Sequence, residues 1–254
     1  ETSGTPIKKS KKVLTVEQVV AALSKVESED ALADVEAGID LFQWDSMSEW
    51  SIDITESAHK WFNKHKKKDR ALCERVILRL ILLSTGRWPY VLCKPLKSKS
   101  KSIRLYETKI DKASRIIWEV AIAFSPRRSS LDQNYCEQVI RVWDIVLDHD
   151  NLSRAIDLTI ERIYKSHMRG QECALFAEID KANNKTPASK DVMGDVRIPR
   201  VFPMSQEVMC VGSTREETPK GRSRHFHPAS EDDRQFTLLK FYKLNAGAVK
   251  ILLD

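Results

Sequence analysis

The sequence has no long apolar run, no paired cysteine motif and no phosphate-binding loop. No stretch of about 18 apolar residues occurs, and the first residues lack an apolar signal core, so we expect a protein that neither spans a membrane nor is secreted. The five cysteines are odd in number and scattered without a CxxC pair. This pattern argues against a disulfide framework or a zinc ribbon and predicts a reducing, nuclear or cytoplasmic location.

Other missing motifs exclude further classes of function. Neither GxxxxGKS nor GxxxxGKT occurs, so this chain should not bind or hydrolyse ATP. His225 and His227 have a metal-like spacing in RHFHP, but without cysteine or carboxylate ligands nearby we expect no metal and no small-molecule cofactor. No internal repeat is found. The chain ends on the apolar run ILLD, from which we expect a piece of a longer protein.

Positive charge is present in modest excess, and it is clustered. The 254 residues carry a net charge of +6, with a pI near 9.0. Clustered cations predict a polyanionic partner, whose phosphates would be bound without regard to sequence. A solvated surface turn is the alternative interpretation. The candidate nucleic-acid-binding residues are Lys64, Lys66, Lys67, Lys68, Lys97, Lys99, Lys101 and Arg104.

Hydrophobic periodicity divides the chain into four parts. Residues 1–12 predict a disordered basic tail, and residues 13–48 a helical extension that begins at the N-cap Thr15. Residues 49–166 read as a strand, two helices and three strands, which is an α+β domain with the helix pair covering one face of the sheet. Residues 167–254 are rich in proline, serine and charge, and predict a loop-rich C-terminal extension.

Individual elements of the central domain can be placed more closely. Residues 49–55 alternate like a half-buried strand, and the helix over residues 69–85 is apolar on nearly every face, so it should be the most buried element. Gly86 should close that helix. A helix should follow the last strand, with Asp150 or Asn151 as its N-cap.

Two parts of the chain resemble known families. KPLKSKSKSIRLYETKID and SRIIWEV are similar to the KPL…LYELRI and YRIIYEV segments of the RelE/ParE toxin superfamily, which includes HigB-type ribonucleases. That resemblance implies a core of a strand, a helical hairpin and an antiparallel three-strand sheet. RIPRVFPMSQEVMCVG and FTLLKFYKLNAGAVKILLD are similar to the segment before the motor of UvrD-like helicases with tetratricopeptide and ankyrin repeats, which implies an intramolecular helicase motor as a partner.

The toxin resemblance implies a candidate catalytic site on the sheet. Lys109 and Arg115 fall where the family motifs have arginines, so they would flank one phosphate while the substrate's own 2′-hydroxyl attacks it. His149 is the best general acid or base by residue type. Alternatively, the two cations solubilise a sheet surface and pair with Glu107 and Glu119. The family's C-terminal catalytic tyrosine or histidine has no clear equivalent here.

These patterns favour an accessory domain that binds RNA or single-stranded nucleic acid, catalytically degenerate, within a UvrD-like helicase. One alternative is an active, metal-independent endoribonuclease. The other is a protein-interaction module, in which the basic face binds an acidic partner or a sheet edge accepts a strand. We also expect Lys109 and Arg115 to lie off the core face, so that reversing their charges would leave the melting temperature nearly unchanged.

Overall fold

A computed structural model describes residues 13–40, 48–96, 104–125, 128, 133–160, 196–204 and 241–253. Its mixed helices and mostly antiparallel sheet confirm the predicted α+β class. The helices are α1 (Val16–Leu23), α2 (Glu29–Glu36), α3 (Glu56–His65), α4 (Arg70–Ser84), α5 (Leu152–Arg154) and α6 (Ala246–Leu253). The strands are β1 (Ile52–Thr55), β2 (Lys94–Pro95), β3 (Tyr106–Lys109), β4 (Arg115–Phe124), β5 (Asn134–Val146), β6 (Val201–Met204) and β7 (Phe241–Leu244).

The sheet has the order β2-β3-β4-β5-β1-β7, and β6 pairs with the start of β5. Strands β3, β4 and β5 are antiparallel neighbours, as predicted. Strand β1 runs parallel to β5, with Ile54 opposite Val142, and antiparallel to β7. Because strands flank β1 on both sides, all four of its residues are buried, and the prediction of a half-buried strand is wrong.

Helices α3 and α4 cover one face of the sheet, as the sequence indicates. Thr55 ends β1 and caps α3, because its side chain accepts a hydrogen bond from the backbone N–H of Ala58 at 3.3 Å. Helix α4 is buried along most of its length, as its apolar sequence predicts. It packs with Ile52, Trp118 and Val142 in the main core. This core holds the sheet and the helix pair together.

The opposite face carries a second, smaller core. Leu105, Ile117 and Trp143 lie on that face and pack against Leu152 and Ile156 of the helical segment after β5. That segment begins as a 3-10 turn (His149–Asn151) and passes through α5 into a π-helical stretch (Ala155–Ile160). The expectation that this face is open to nucleic acid is therefore wrong where the segment covers it.

Asn151, one of the two predicted caps, stands at the N-cap position of α5 but makes no side-chain capping hydrogen bond; the side chain that caps the helical segment after β5 is that of Asp148. Its carboxylate accepts hydrogen bonds from the backbone N–H of Asp150 at 3.0 Å and from the Asn151 side chain at 3.1 Å. The capping side chain lies two or three residues earlier than predicted, because a 3-10 turn (His149–Asn151) precedes the α-helical turn.

A close backbone contact joins the end of α4 to the distant segment 196–204. Gly86 has φ of 77°, and its carbonyl accepts a hydrogen bond from the Arg197 N–H at 2.9 Å. The Trp50 indole N–H donates to the Arg197 carbonyl at 2.6 Å. A Cβ added to Gly86 would lie 2.2 Å from that carbonyl oxygen, so a side chain does not fit. Trp50, Gly86 and Arg197 are called the Gly86 junction below.

The two N-terminal helices are held to the domain by a buried cation. Arg79 of α4 is 4% exposed, and its Nε lies 2.6 Å from a carboxylate oxygen of Glu36. Its terminal nitrogen lies 3.4 Å from Glu29, so one guanidinium bridges both ends of α2. Val35 and Leu32 on α2 are buried beside it. The predicted helical extension is thus anchored by both charge and apolar contact.

Several predicted features lie outside the described residues. They are the tail 1–12, most of the extension 167–254, the histidines His225 and His227, and the lysines Lys97, Lys99 and Lys101. Within the ranges that the structure covers, no helix is long and apolar enough to cross a membrane.

Replacing Gly86 by alanine should destabilise the protein by about 2 kcal/mol or more, because it combines a strained positive φ with a backbone clash. Gly247→Ala is the matched control, since a Cβ there would meet its nearest atom at 3.4 Å. In a helix this control should be neutral or gain up to about 1 kcal/mol. Urea unfolding of both variants measures the difference, and equal stability of the two would contradict the role of the junction.

Replacing Arg79 by methionine should cost about 3 kcal/mol, because it leaves Glu36 and Glu29 without their buried partner. Arg75→Met is the control, since the Arg75 side chain is 46% exposed and lies 3.6 Å from Asp111. We expect this control to change the free energy of unfolding by at most about 0.5 kcal/mol. A cost for Arg79→Met as small as that of the control would show that α2 is held by apolar contact alone.

Candidate functional site

The two predicted catalytic cations, Lys109 and Arg115, contact other groups of the fold. Arg115 is 9% exposed and donates to the carbonyls of Asp111 at 2.7 Å and Ser114 at 2.9 Å, with Glu107 3.9 Å away. Lys109 lies opposite Arg115 in the sheet, and its Nζ is 3.8 Å from Glu29 of α2. The expectation that Arg115 is solvent-facing is wrong, because its guanidinium closes the turn between β3 and β4.

His149 follows the end of β5 that lies beside Arg115, because Val146 of β5 is opposite Arg115 of β4 and His149 is three residues further on. It is exposed in the 3-10 turn after β5, next to the cap Asp148, while Lys109 and Arg115 are at the turn between β3 and β4. Among the described residues, no group of three or more histidine, cysteine, aspartate or glutamate side chains could hold a metal ion. The structure therefore places Lys109 opposite Arg115, with His149 beyond the neighbouring end of β5, and it engages the two cations in contacts within the fold.

The first lysine cluster spans the last turn of α3 and the turn that joins α3 to α4. Lys64, Lys67 and Lys68 are exposed, and Lys66 donates to the Ile251 carbonyl of α6 at 3.2 Å. The three exposed lysines form no ion pair within the part of the chain that the structure covers. In the second cluster only Arg104 is described, and it is exposed. Lys64, Lys67 and Lys68 are called the basic turn below.

The basic turn is rigid. The backbone N–H of Lys68 and that of Asp69 both donate to the His65 carbonyl, at 2.9 and 2.8 Å. Asp69 then caps α4 by accepting from the Leu72 N–H at 2.9 Å, and the His65 ring stacks on Trp61 at 4.4 Å between centroids. Because the backbone is fixed on both sides, the lysines project from a defined platform rather than from a loose loop.

A row of charges crosses the second face of the sheet, and it is buried at Asp53, Arg141 and Glu119 but exposed at Lys243. Lys243, Asp53, Arg141 and Glu119 are cross-strand partners on β7, β1, β5 and β4. The Arg141 guanidinium lies 3.6 Å from Glu119, and 4.0 Å from the centre of the Phe241 ring. Opposite charges therefore alternate across four strands, which is how buried charges are compensated within a fold.

Sequence reasoning missed this charged row. Asp53 and Arg141 stand inside apolar strands, in WSIDIT and QVIRVWDIV, and that placement was the available signal. The sequence does not show the register in which these strands pair. Only the parallel pairing of β1 with β5 puts these two side chains next to each other.

Burial raises the pKa of Asp53 above its ordinary value of 3.8, while Lys243 and then Arg141 oppose the rise. One of its carboxylate oxygens accepts no hydrogen bond from the described residues. Burial also raises the pKa of Asp144, against hydrogen bonds from the Ile145 N–H and the Ser57 hydroxyl. Asp53 belongs to the charged row on the second face of the sheet, whereas Asp144 contacts Ser57 of helix α3.

One human protein is similar to most of this chain. It is named TPR and ankyrin repeat-containing protein 1, and it is 33% identical over an alignment of 235 residues that covers 84% of this chain and 8% of the human protein. The chain thus spans only a small part of that relative's length. No protein-family model and no solved structure matches the chain.

The similarity overturns the family resemblances inferred from short motifs. The relative is named for its repeats, and its name points neither to a RelE/ParE toxin nor to a UvrD-like helicase. The identification as a toxin-fold domain of a helicase is therefore wrong, and so is the interpretation as an RNA-binding helicase accessory domain with ribonuclease ancestry. The catalytic assignment of Lys109, Arg115 and His149 was carried over from the toxin motifs, so it loses its basis.

Asp53→Asn should flatten the pH dependence of stability. Because the folded pKa of Asp53 lies above its ordinary 3.8, the stability that this group contributes is complete below pH 3.8 and is lost as the pH rises through the folded pKa. The Asp53→Asn variant does not lose stability in this way, because the asparagine side chain does not titrate. Urea unfolding between about pH 4 and 7 should give a shallower decline for Asp53→Asn than for the exposed control Asp34→Asn. Identical slopes would contradict the desolvation of Asp53.

Proposed function

We propose that this chain is a protein-interaction module whose basic turn binds an acidic segment of another protein. The observation that carries the proposal is the set of three exposed lysines, Lys64, Lys67 and Lys68, fixed on a rigid platform. The neighbouring cations differ, because Lys60 pairs with Glu56 at 2.7 Å and Arg70 with Glu74 at 2.9 Å. The basic turn is therefore a local excess of positive charge available to a partner.

The similarity to a TPR and ankyrin repeat-containing protein supports the same class of function. Both kinds of repeat stack into extended surfaces that bind other proteins. A module within such a protein would act beside binding surfaces rather than beside a catalytic centre. The charged row on the sheet agrees with this proposal, because its two buried carboxylates and the Arg141 guanidinium lie next to one another inside the fold.

Strand addition at a sheet edge receives less support. One edge of the described sheet is β2, which has only two residues, and one of them is Pro95, which has no N–H to donate. The other edge is β7, with four residues. Binding of an acidic segment to the basic turn does not require a free strand edge, so we propose that the partner binds at the basic turn.

The test is a triple charge reversal, Lys64→Glu, Lys67→Glu and Lys68→Glu. Binding of a fluorescently labelled acidic peptide should weaken at least about tenfold, because three exposed charge pairs of about 0.5–1 kcal/mol each are lost. The matched control is Lys25→Glu, Lys112→Glu and Arg154→Glu, which changes the net charge equally at exposed residues of other elements.

The control should bind the peptide within about twofold of the parent protein. Affinity of the parent should also fall as salt rises from about 0.05 to 0.5 M. An equal loss in the control would mean that only overall charge matters. Tighter binding of single-stranded RNA of the same charge, lost in the triple variant, would overturn the proposal.

A further inference from the structure

His65 directly follows Lys64 of the basic turn, and its ring is held in one position. The imidazole stacks on the Trp61 indole, with 4.4 Å between the ring centres and 22° between the ring planes. Its Nδ1 lies 2.8 Å from the Trp61 carbonyl oxygen. The His65 carbonyl accepts the two backbone hydrogen bonds that close the turn. The lysines of the basic turn and the His65 ring therefore share one rigid support.

The contact with Trp61 determines which nitrogen of His65 takes up a proton. Because a carbonyl oxygen can only accept a hydrogen bond, Nδ1 carries a hydrogen and donates it to Trp61. The other ring nitrogen, Nε2, then has a free lone pair in the neutral ring. Within the described ranges Nε2 is neither hydrogen-bonded nor buried away from solvent. Protonation therefore places a positive charge on the accessible side of the ring.

Cations predominate on the elements that meet at this turn. The charged side chains are Lys64, Lys66, Lys67 and Lys68 in α3 and the turn, Asp69 and Arg70 at the start of α4, and Lys250 in the last turn of α6. Asp69 caps α4, and Arg70 pairs with Glu74 at 2.9 Å. The surroundings of His65 thus hold few carboxylates, and a bound acidic segment would supply them.

We propose that His65 is a binding residue of the basic turn in its protonated form, so that an acidic segment binds more tightly at about pH 6 than at about pH 8. In the complex, Nε2–H donates a charge-assisted hydrogen bond to a carboxylate of the segment. Because the segment favours the protonated ring, binding takes up a proton from solution, and lowering the pH strengthens binding by the same coupling. This inference rests on the proposed function, since it concerns the same site and the same class of partner.

Histidine is the residue type that can give this pH dependence. Lysine and arginine stay protonated between about pH 6 and about pH 8, and the carboxylates of aspartate and glutamate stay ionised. The lysines of the basic turn therefore contribute affinity at either pH, whereas an imidazole gains its charge within this range. A change of affinity with pH at constant salt consequently reports on histidine, and a change with salt reports on all the charges.

The test measures the affinity of the full chain for one acidic peptide at about pH 6 and about pH 8, at constant ionic strength. The peptide carries glutamates in a glycine–serine background, and its ends are acetylated and amidated, so that it does not titrate in this range. We expect the parent protein to bind about three- to fivefold more tightly at the lower pH, as one further exposed charge pair would give. Calorimetry in two buffers of different ionisation enthalpy should show proton uptake on binding.

Two substitutions should abolish the pH dependence in opposite ways. His65→Gln cannot be protonated, so it should bind at the weaker level at both pH values. His65→Arg is charged at both and can still stack on Trp61, so it should bind at the tighter level throughout. His149→Gln is the matched control, because His149 is exposed in the turn after β5. It should keep the pH dependence of the parent protein.

The outcomes separate this inference from the proposed function. If the triple lysine variant loses the peptide while the parent protein binds equally at both pH values and takes up no proton, the basic turn stands and the role of His65 is overturned. A pH dependence that persists in His65→Gln would also overturn it. If the triple lysine variant binds as the parent does, the proposed function fails and the inference with it. Proton uptake by the parent protein needs no substitution, so a variant that fails to fold does not prevent the test.

Discussion

The backbone contact between Gly86 and Arg197 is the constraint on which the arrangement of the molecule depends. It joins three parts of the chain that are far apart in sequence: Trp50 in the segment before β1, the end of α4 and the segment that leads to β6. Because no side chain fits at Gly86, the two backbones approach closely enough to exchange a hydrogen bond with each other and to meet the Trp50 indole.

Charge is used in two different ways in this fold. On the second face of the sheet, Asp53, Arg141 and Glu119 neutralise one another in the interior, so their role is structural. At the basic turn, the lysines project into solvent from a backbone that is already fixed. Charged side chains therefore stabilise the fold where they are buried and remain in contact with solvent at the basic turn.

The sequence predicts the elements well where periodicity is strong. The α+β class, the buried helix α4 and the strand β4 follow from local patterns, because an apolar helix or an alternating strand needs no knowledge of its neighbours. The position of β1 between β5 and β7 could not be predicted, since register depends on pairing across long separations. The short motifs around Lys109 and Arg115 suggested a catalytic site, but the burial of Arg115 depends on the turn carbonyls, which no motif records.

The central place of β1 also has a consequence for how the chain folds. Its partner on one side lies about 90 residues later, and its partner on the other side is β7, whose last residue is Leu244. During synthesis β1 leaves the ribosome long before either partner strand, so its backbone stays unpaired until most of the chain has been made. The capped helix α3, which starts immediately after β1, is the local structure that can shield Ile52 and Ile54 during that interval.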